Sequence, residues 1–428
     1  MPLTRLQAHV EAERCLACYD APCRAACPTH IDVPTFIGMI RSGNVRGAAK
    51  TVRSANALAN VCGKVCPEEV LCQASCTRAR IDAPVLIREL HFFATQTEAR
   101  AGFSPHRPFG SSAGTAAVIG GGPSGLGCAF ELAKLGLRVT LFDPRGLGGV
   151  PRHSIPAFRL TSDELRDDIA FLSGAFTVVK ERVDHARLSA LREEFDAVYV
   201  AVGLGLDRPL GLPGETLPGV HPVLPFLESA KRGETTLRGR VVVIGGGNVS
   251  LDAAATARKI GASEVTLLYR RSEAEMKVWK SELEEARKLG VSIRFLTLPV
   301  GIVGDGVARG VLCRRTALSA ERDRSGRPVP VEVSGSEFTL EAEHVIVAVG
   351  QVIGAEIARA FSRSQGGLIA VDGESRTSLP GVFAGGDATD GEGTIVASVG
   401  RGKAAAHAMF RHVQGARNGG AATSAHAR

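Results

Sequence analysis

The hydrophobic and polar positions of the chain repeat one arrangement twice. Residues 115–143 and 240–271 each begin with a short apolar run, pass through three consecutive glycines, continue as an amphipathic segment and reach a second apolar run. A short apolar run bounded by glycine predicts a buried strand, and the apolar spacing that follows predicts a helix. Each stretch therefore predicts a strand–turn–helix–strand unit of the kind that binds dinucleotides.

A second pair of similar segments indicates how the two units are joined. Residues 196–203 and 344–350 are apolar runs that end in glycine, and each follows one of the two units. Strands that alternate with helices are typical of parallel sheets. We therefore predict two nested Rossmann-like domains, with the second unit inserted into the first and a charged helix over residues 277–288 in the inserted domain.

The first hundred residues have a different character. Residues 34–42 and 86–100 carry helical periodicity, whereas residues 103–114 have the glycine, proline and serine content of a linker. The expected fold class is α/β, in which a helical N-terminal iron–sulfur domain precedes two nested Rossmann-like nucleotide-binding domains. The expected domains are residues 1–105 for the helical domain, residues 106–235 with 344–428 for the FAD-binding domain, and residues 236–343 for the NAD(P)H-binding domain.

Composition narrows the classes of function. The chain has 428 residues, 44% hydrophobic and 22% charged, which suits a globular protein of two or three domains. Its 50 glycines suit tight phosphate-binding turns, and its aromatic content of 5% argues against a base-stacking surface for nucleic acid. The net charge of +7 reflects either a mildly basic surface or an attraction for anionic cofactors and an acidic partner.

The distribution of apolar residues and cysteines bears on location. The N-terminal segment lacks the apolar core of a signal peptide, and no run approaches about 18 apolar residues. We therefore expect a cytoplasmic protein without a membrane span. Eight of the ten cysteines lie between Cys15 and Cys76. In an intracellular chain such clustering predicts metal binding rather than disulfides.

The first glycine turn, residues 120–125, has the G-x-G-x-x-G spacing between a strand and a helix. Gly120 allows the tight turn, Gly122 lets a pyrophosphate approach the backbone, and Gly125 permits close helix packing. The helix N-terminus adds free N–H groups. Asp143 ends the next strand, at the position of an acid that binds ribose hydroxyls. This turn predicts a dinucleotide site.

The second turn, residues 245–250, has a serine in place of the third glycine. Where the first unit has Asp143, the second has Tyr269 followed by Arg270 and Arg271. Replacement of an acid by cations favours the 2′-phosphate of NADP(H). The alternative is that both arginines are solvated surface residues.

A third signal lies nearer the C-terminus. Residues 381–387 form an apolar strand pattern that ends in Gly-Gly-Asp, and residues 393–398 open a helix. Asp387 could bind the ribityl chain or the pyrophosphate of a flavin nucleotide. As a bare motif, the same pattern fits any turn at the end of a strand.

The eight N-terminal cysteines form two groups. Their spacings are Cys-x2-Cys-x4-Cys-x3-Cys-Pro from Cys15 and Cys-x3-Cys-Pro-x4-Cys-x3-Cys from Cys62. The Cys-Pro ending resembles ferredoxins, in which the fourth cysteine of a run binds the other cluster. Tetrahedral zinc is the structural alternative. The neighbouring flavin and nicotinamide motifs favour iron–sulfur clusters, because zinc carries no electrons. Cys128 and Cys313 are expected to be packing residues.

Together these motifs resemble one family. Over residues 14–412 the chain resembles the FAD- and NAD(P)H-binding electron-entry half of dihydropyrimidine dehydrogenase and the similar small subunit of glutamate synthase. The likeness lies in the segments CLACYDAPCRAACPTHIDVPTFI, VCGKVCPEEVLCQASC, GGGPSGLGCAFELAKLG, IPAFRL, LPGE, GGGNVSLDAAATA, YRR and GVFAGGDAT. Residues 20–23 and the overall length lean toward the smaller bacterial subunit of dihydropyrimidine dehydrogenase, which pairs with a separate FMN-containing catalytic subunit.

The resemblance assigns the cluster ligands in a crossed manner. One [4Fe-4S] cluster would be held by Cys15, Cys18, Cys23 and Cys76, and the other by Cys27, Cys66 and Cys72. Relatives supply the missing ligand from a Gln or Glu on the following helix, and the matching position here is His91, a departure from the family pattern. Cys62 is not a ligand in this scheme, although its thiol is a chemical alternative to His91. A third interpretation leaves His91 as a packing residue beside Phe92 and Phe93.

The resemblance also implies FAD, NADP(H) or NAD(H), and two [4Fe-4S] clusters as cofactors. The residues expected to contact the nucleotides are Gly120, Gly122, Pro123, Ser124, Gly125, Asp143, Gly149, Arg159, Gly203, Gly245, Gly247, Asn248, Val249, Ser250, Arg270, Arg271, Gly386, Asp387, Thr394, Ile395 and Val396. No side chain is named as a general acid or base, because the cofactors supply the redox chemistry.

The expected function follows from these cofactors. We expect an electron-transfer subunit that oxidises NAD(P)H through FAD and delivers electrons through two clusters to an FMN-containing catalytic subunit, since the 428 residues contain no recognisable FMN-binding barrel or glutaminase domain. The alternatives are a glutamate-synthase-type reductase subunit with another acceptor and a zinc-stapled nucleotide-binding scaffold without activity. No nucleic-acid or membrane partner is expected.

Overall fold

The protein is described here by a computed structural model that covers residues 3–102, 113–323, 325–391 and 393–425. Residues 103–112, most of the expected linker, lie outside the described residues, and so does the expected domain boundary after residue 105.

The N-terminal region is helical. Its helices are α1 (Arg5–Glu13), α2 (Pro22–Ala25), α3 (Val33–Arg41), α4 (Val45–Ala55), α5 (Ala59–Val65) and α6 (Ile87–Ala101). Short 3-10 turns at Glu68–Val70 and Thr77–Arg80 lie between α5 and α6. The side chains of Thr4, Asp32 and Asn44 accept hydrogen bonds from the first turns of α1, α3 and α4, which fixes where these helices begin. α3 and α6 match the two helices that periodicity predicted.

The rest of the chain alternates strands and helices. The further helices are α7 (Pro123–Lys134), α8 (Val150–His153), α9 (Ser162–Leu172), α10 (His185–Glu194), α11 (Val223–Lys231), α12 (Asn248–Lys259), α13 (Lys280–Lys288), α14 (Ala355–Ala358), α15 (Asp387–Asp390) and α16 (Ile395–Ala425), with a 3-10 turn at Glu273–Glu275. The strands are β1 (Thr115–Ile119), β2 (Arg138–Phe142), β3 (Thr177–Val179), β4 (Ala197–Val200), β5 (Leu206–Asp207), β6 (Val220–Pro222), β7 (Arg240–Gly245), β8 (Glu264–Leu268), β9 (Val291–Arg294), β10 (Thr297–Val303), β11 (Gly310–Arg322), β12 (Pro328–Glu332), β13 (Phe338–Glu341), β14 (His344–Ala348), β15 (Gln351–Val352) and β16 (Val382–Ala384).

Two five-stranded parallel sheets form the framework. Their strand orders are β16-β4-β1-β2-β3 and β6-β14-β7-β8-β9. β10 to β13 form an antiparallel sheet, and β5 pairs with β15. The chain order of the strands reverses at β1 and at β7, and the two glycine turns follow these strands. In sheets of this kind, ligands bind beyond the carboxyl ends of the strands at such a reversal.

The described residues divide into two compact units. The first contains the helical region and the sheet around β1, and the second contains the sheet around β7. The first unit falls within Met1–Arg152, Ala157–Gly205 and Ile353–Arg428, and the second consists of His153–Pro156 and Leu206–Val352.

This division moves two expected boundaries. β6 precedes residue 236 and β14 follows residue 343, yet Val345 of β14 pairs with Val220 of β6 on one side and with Val242 of β7 on the other. Both strands therefore complete the second sheet rather than the first. Hydrogen bonding between strands far apart in the chain decides this assignment, and a local apolar pattern does not encode it.

In the first unit, α16 joins the helical region to the layer formed by α7. Val396 near the start of α16 belongs to the same apolar core as Phe36 and Leu90 of the helical region. A Cβ added to Gly402 of α16 would lie 2.0 Å from the carbonyl oxygen of Ser124, so α16 packs backbone against backbone on α7. None of the helices in the described ranges combines the length and the apolar character needed to cross a membrane.

Candidate functional site

The first glycine turn joins β1 to α7. A Cβ on Gly125 would lie 1.8 Å from the carbonyl oxygen of Gly120, so only glycine lets α7 start this close to the strand. Gly120 has a φ of +107°, and a Cβ on this residue would lie 2.4 Å from the carbonyl oxygen of Ala201. Gly122 precedes Pro123, the first residue of α7. The nearest atom to a Cβ added to Gly122 is the Cα of Gly149, at 3.9 Å. This open space before the first N–H groups of α7 fits a pyrophosphate.

Asp143 follows β2 and lies beside this turn. Its Oδ2 accepts a hydrogen bond from the N–H of Gly121 at 2.7 Å, and its Oδ1 accepts one from the N–H of Arg145 at 2.7 Å. A carboxylate has about four acceptor positions, so positions remain for ribose hydroxyls. The N–H of Gly148 donates to the carbonyl of Gly121 at 2.7 Å, which brings the loop that contains Gly149 against the turn.

The Gly-Gly-Asp segment after β16 lies against the same turn. A Cβ on Gly386 would lie 2.7 Å from the Cβ of Ser124. Asp387 accepts a hydrogen bond from the hydroxyl of Ser398 at 3.1 Å. The hydroxyls of Ser124 and Tyr199 lie 2.7 Å apart and are buried, so the side chain of Ser124 faces the protein and only its backbone is available to a ligand.

The remaining residues expected at the flavin site have varied surroundings. Gly203 follows β4 with φ of +61°, and nothing lies within 4 Å of an added Cβ. Thr394 caps α16, since its hydroxyl accepts a hydrogen bond from the N–H of Ala397 at 3.1 Å. Val396 is buried and Ile395 is partly buried, and both pack against the core of the helical region. Arg159 is half-buried between α8 and α9.

The second glycine turn joins β7 to α12 with a looser geometry. A Cβ on Gly245 would lie 2.3 Å from the carbonyl oxygen of Ala348 and 3.0 Å from the Cβ of Ser250. Ser250, in place of a third glycine, is buried, and its hydroxyl donates to the carbonyl of Gly247 at 2.5 Å. The second turn thus accommodates the Cβ that the first turn excludes.

Around this turn, residues after β8 approach the start of α12. Nothing lies within 4 Å of a Cβ on Gly247, and Lys277 forms a parallel β-bridge with Gly247. The side-chain carbonyl of Asn248 accepts a hydrogen bond from the N–H of Trp279 at 3.1 Å. Val249 packs against the core of this unit. The space before α12 therefore remains open while its flanks are fixed.

The two arginines after β8 have different surroundings. Arg271 is buried, and its guanidinium donates to the carbonyl of Pro328 at 2.9 Å and to Oδ2 of Asp323 at 2.7 Å. Arg270 lies at the surface but is partly desolvated by its neighbours, and this desolvation and the charges of Arg271 and Arg327 lower its pKa. We therefore revise the expectation for Arg271: its guanidinium is neither solvated nor free for a phosphate, because it ties β8 to the β11–β12 hairpin.

The first thiol group consists of Cys15, Cys18, Cys23 and Cys76, which line one pocket. Burial raises the pKa of Cys23 to about 11, and the thiols of Cys76 and Cys15 add to this shift. With its pKa raised in this way, the Cys23 thiol stays protonated unless a cation lies beside it. The donor set fits an iron–sulfur cluster, whose irons hold four such sulfurs as thiolates.

The second thiol group consists of Cys27, Cys66 and Cys72. Burial raises the pKa of Cys72 to about 12, and the nearby thiols that add to the shift are Cys27 and then Cys23. Burial also raises the pKa of Cys66 well above its usual range, with added contributions from Cys62, Cys72 and Cys27. The structure thus brings together the three cysteines of the crossed scheme and places Cys62 beside them.

His91 lies on α6 with 7% of its surface exposed. Its Nε2 is buried without a hydrogen-bond partner among the described residues. Burial and the charge of Arg53 lower the pKa of His91 to about 3, so the imidazole is neutral at neutral pH. A neutral imidazole with an unpartnered ring nitrogen is the form that binds metals.

The spread of the thiols bears on the zinc alternative. Within the described ranges, no three His, Cys, Asp or Glu side chains converge closely enough to hold a single metal ion. Tetrahedral zinc, with Zn–S bonds of about 2.3 Å, requires such convergence. The described thiols are therefore more widely spaced than the ligands of a single zinc ion.

α16 connects the second thiol group to the first glycine turn. A Cβ on Gly400 would lie 2.5 Å from the carbonyl oxygen of Pro28, the residue after Cys27. The ammonium group of Lys403 donates to the carbonyl of Thr29 at 3.3 Å. The same helix packs on α7, which starts at the first turn. The sequence did not suggest this connection, because the contacting residues are glycines and backbone atoms.

Comparison with known proteins agrees with this architecture. The model of the pyridine nucleotide-disulphide oxidoreductase family matches residues 114–410, and that of dihydropyrimidine dehydrogenase domain II, 4Fe-4S cluster, matches residues 1–103. The solved structure of Mycobacterium tuberculosis FprA in complex with NADPH superimposes with a TM-score of 0.60 at 21% identity, covering 73% of this chain and 86% of that one. The likeness to FprA confirms the fold.

Relatives match over most of the chain. The NAD-dependent dihydropyrimidine dehydrogenase subunit PreT of Escherichia coli (strain K12) is 35% identical over 96% of both chains. The small chain of the NADPH glutamate synthase of the same strain is 33% identical over 96% of this chain and 93% of that one. The NADP(+)-dependent formate dehydrogenase subunit beta of Moorella thermoacetica is 35% identical over 92% of this chain, which spans 60% of that protein.

These matches confirm the expected fold class and cofactors. The chain is an NAD(P)H-dependent flavin oxidoreductase that uses FAD and carries a 4Fe-4S domain. The two family models together account for both the glycine turns and the thiol groups. The chain therefore belongs to the pyridine nucleotide-disulphide oxidoreductase family, in the group that carries an N-terminal 4Fe-4S domain of the dihydropyrimidine dehydrogenase type.

Proposed function

We propose that this chain is the electron-entry subunit of a heteromeric dihydropyrimidine dehydrogenase, and that it passes electrons from NAD(P)H to a separate FMN-containing catalytic subunit. The observation that best supports this is the match to E. coli PreT over 96% of both chains. A bound FAD would supply the conversion between hydride transfer from NAD(P)H and single-electron transfer to the [4Fe-4S] clusters, and this chemistry belongs to the cofactors. The chain's residues bind and orient these groups.

The first glycine turn is the proposed FAD site. The N–H groups at the start of α7, after Gly122, face the pyrophosphate, and the free acceptor positions of Asp143 take the adenosine ribose. Asp387 lies at the other side of the turn, where its carboxylate can bind the ribityl chain. The contact between Gly386 and Ser124 supports this arrangement, because it brings two parts of the chain to one turn.

The second glycine turn is the proposed NAD(P)H site, with a preference for NADP(H). Asp323 neutralises Arg271, whereas Arg270 is exposed. Arg327 lies in the turn of the β11–β12 hairpin, and its Nη2 is 3.6 Å from Oδ2 of Asp323. The charge of Arg327 also lowers the pKa of Arg270. We assign the 2′-phosphate to Arg270, with Arg327 beside it. Relatives are named for both cofactors: PreT is NAD-dependent and the glutamate synthase chain uses NADPH.

For the clusters we propose the crossed ligand sets, with His91 as the fourth ligand of the second cluster. The support is a buried, neutral imidazole whose Nε2 has no partner within the described residues. Cys62 is the competing ligand, since it lies near Cys66 and Cys27. Imidazole ligands occur on iron–sulfur clusters of the Rieske type, where they raise the reduction potential.

The test is reconstitution with defined acceptors. The anaerobically purified chain is expected to release FAD on denaturation, to contain about eight irons and to reduce artificial dyes with NAD(P)H. Adding an FMN-containing pyrimidine-reducing subunit should then couple NAD(P)H oxidation to uracil reduction. Coupling instead to the large subunit of glutamate synthase would replace the proposed partner by the glutamate-synthase alternative. A colourless chain without flavin would refute the electron-entry role itself.

A further inference from the structure

Asp168 of α9 is fully buried, and its carboxylate is shared by two neighbouring helices of the iron–sulfur region. Oδ1 accepts a hydrogen bond from Nη1 of Arg53 at 2.8 Å and one from the N–H of Asn60 at 2.9 Å, and Oδ2 accepts one from the N–H of Val61 at 2.8 Å. A carboxylate from the flavin-binding part of the chain therefore caps the N-terminus of α5.

α5 has no local cap. Leu58, at the position that usually supplies one, makes no side-chain hydrogen bond to the helix. The first N–H groups of a helix need acceptors from outside the helix, and a negative charge is favourable there. For Asn60 and Val61 the acceptor is Asp168, which lies more than a hundred residues later.

The surroundings of Asp168 hold this carboxylate in place. Arg53 of α4 is 1% exposed, lies over the ring of Phe171 at 4.6 Å and donates to Oε2 of Glu98 at 2.5 Å. The side-chain amide of Asn60 donates to the backbone carbonyl of Glu164 on α9 at 2.9 Å. The hydrogen bonds thus tie α4, α5 and α6 to α9.

α5 is also the helix that leads into the second thiol group. It carries Cys62, and Cys66 is its C-cap, whose N–H donates to the carbonyl of Cys62 at 3.1 Å. Displacement of the first turn of α5 would therefore be transmitted within a two-turn helix to the sulfur of Cys66. The first thiol group draws on residues outside α5, so it does not depend on this cap.

We propose that Asp168 is a positioning residue for the second cluster: through the N–H groups of Asn60 and Val61 it holds α5 so that Cys66 reaches the cluster, and it thereby couples cluster assembly to the folded flavin-binding part of the chain. This proposal rests on the proposed function only in taking Cys27, Cys66 and Cys72 as ligands of one cluster. Asp168 itself touches no reacting atom.

The test compares Asp168→Asn with a matched neighbour in the full-length chain. Asp168→Asn keeps the shape but removes the charge and one acceptor, whereas the control Asp167→Asn changes an adjacent carboxylate whose contacts with Asn60 and Gln96 are 3.5 and 3.4 Å long. The expected result for Asp168→Asn is normal FAD content, normal FAD reduction by NAD(P)H, and loss or a shifted potential of one of two cluster signals in electron paramagnetic resonance. Bound iron should fall from about eight toward about four per chain. Asp167→Asn should match the wild type, and Asp168→Glu should recover part of the signal.

Two outcomes would overturn the proposal. One is an Asp168→Asn protein with both clusters present at unchanged potentials. The other is equal loss of flavin and both clusters in Asp168→Asn and Asp168→Glu, which would assign Asp168 a general folding role. A wild-type chain that holds flavin but no clusters would instead refute the proposed function, so the two failures are distinguishable.

Discussion

The carbonyl oxygen of Gly120 occupies the place that a side chain on Gly125 would need, since a Cβ there would lie 1.8 Å from it. The obstacle is a backbone atom, so no side-chain rotation relieves it. α7 begins at this contact, and its first N–H groups face the proposed pyrophosphate position. The equivalent position of the second unit is Ser250, so the requirement for glycine at this position applies only to the first turn.

Gly125→Ala should lower the flavin content and destabilise the protein, because α7 must move away from β1. Overpacking of this kind costs about 1–3 kcal/mol. Flavin released per chain and the urea midpoint measure the effect. The control is Gly415→Ala on α16, where nothing lies within 4 Å of an added Cβ. That change should retain flavin and stabilise the helix by up to about 1 kcal/mol. Full flavin content in Gly125→Ala would contradict the argument.

Arg270→Ala should weaken NADPH binding by about 10–100-fold and leave NADH nearly unchanged, because a charge-assisted hydrogen bond to phosphate contributes about 1.5–3 kcal/mol. Arg327→Ala should act in the same direction with a smaller effect. Dissociation constants for 2′,5′-ADP and 5′-AMP isolate the phosphate contribution. Equal loss of affinity for both nucleotides in Arg270→Ala would exclude the assignment.

Arg271→Ala should behave differently from Arg270→Ala. Its guanidinium joins Asp323 and the carbonyl of Pro328, so its removal breaks the hydrogen bonds that tie β8 to the β11–β12 hairpin. We expect a lower melting temperature and a similar loss of affinity for NADPH and NADH. If the variant is stable and loses affinity for NADPH alone, Arg271 would instead be a ligand of the 2′-phosphate.

His91→Ala should lower the bound iron from about eight toward about four per chain, or shift the potential of one cluster, because the imidazole is the proposed fourth ligand. Cys62→Ser should then leave both clusters intact. Iron analysis and electron paramagnetic resonance of the two variants decide between the ligands. The reverse pattern would move the ligand to Cys62.

The isolated chain should not reduce uracil or thymine and should not form glutamate, because its described units account for nucleotide and cluster binding only. NAD(P)H oxidation with each substrate is the measurement, with an artificial dye as the positive control. Turnover of any of these substrates without a second polypeptide would contradict the requirement for a partner.

Local patterns in the sequence were sufficient for the strand–turn–helix units, the helices around residues 34–42 and 86–100, and the two runs of closely spaced cysteines that begin at Cys15 and Cys62. Each depends on residues close together in the chain: apolar spacing, three glycines, or cysteines separated by two to four residues. The cofactor classes follow from these motifs, because phosphate-binding turns and clustered thiolates have few other uses.

Tertiary structure decided what depends on distant partners. It gave the adjacent residues Arg270 and Arg271 different surroundings, because Arg271 is buried against a hairpin some fifty residues later in the chain. It placed β6 and β14 in the second sheet, and it brought Asp168 to the start of α5. Pairing between strands and burial of charge are properties of contacts across the fold, which neighbouring residues in the sequence do not encode.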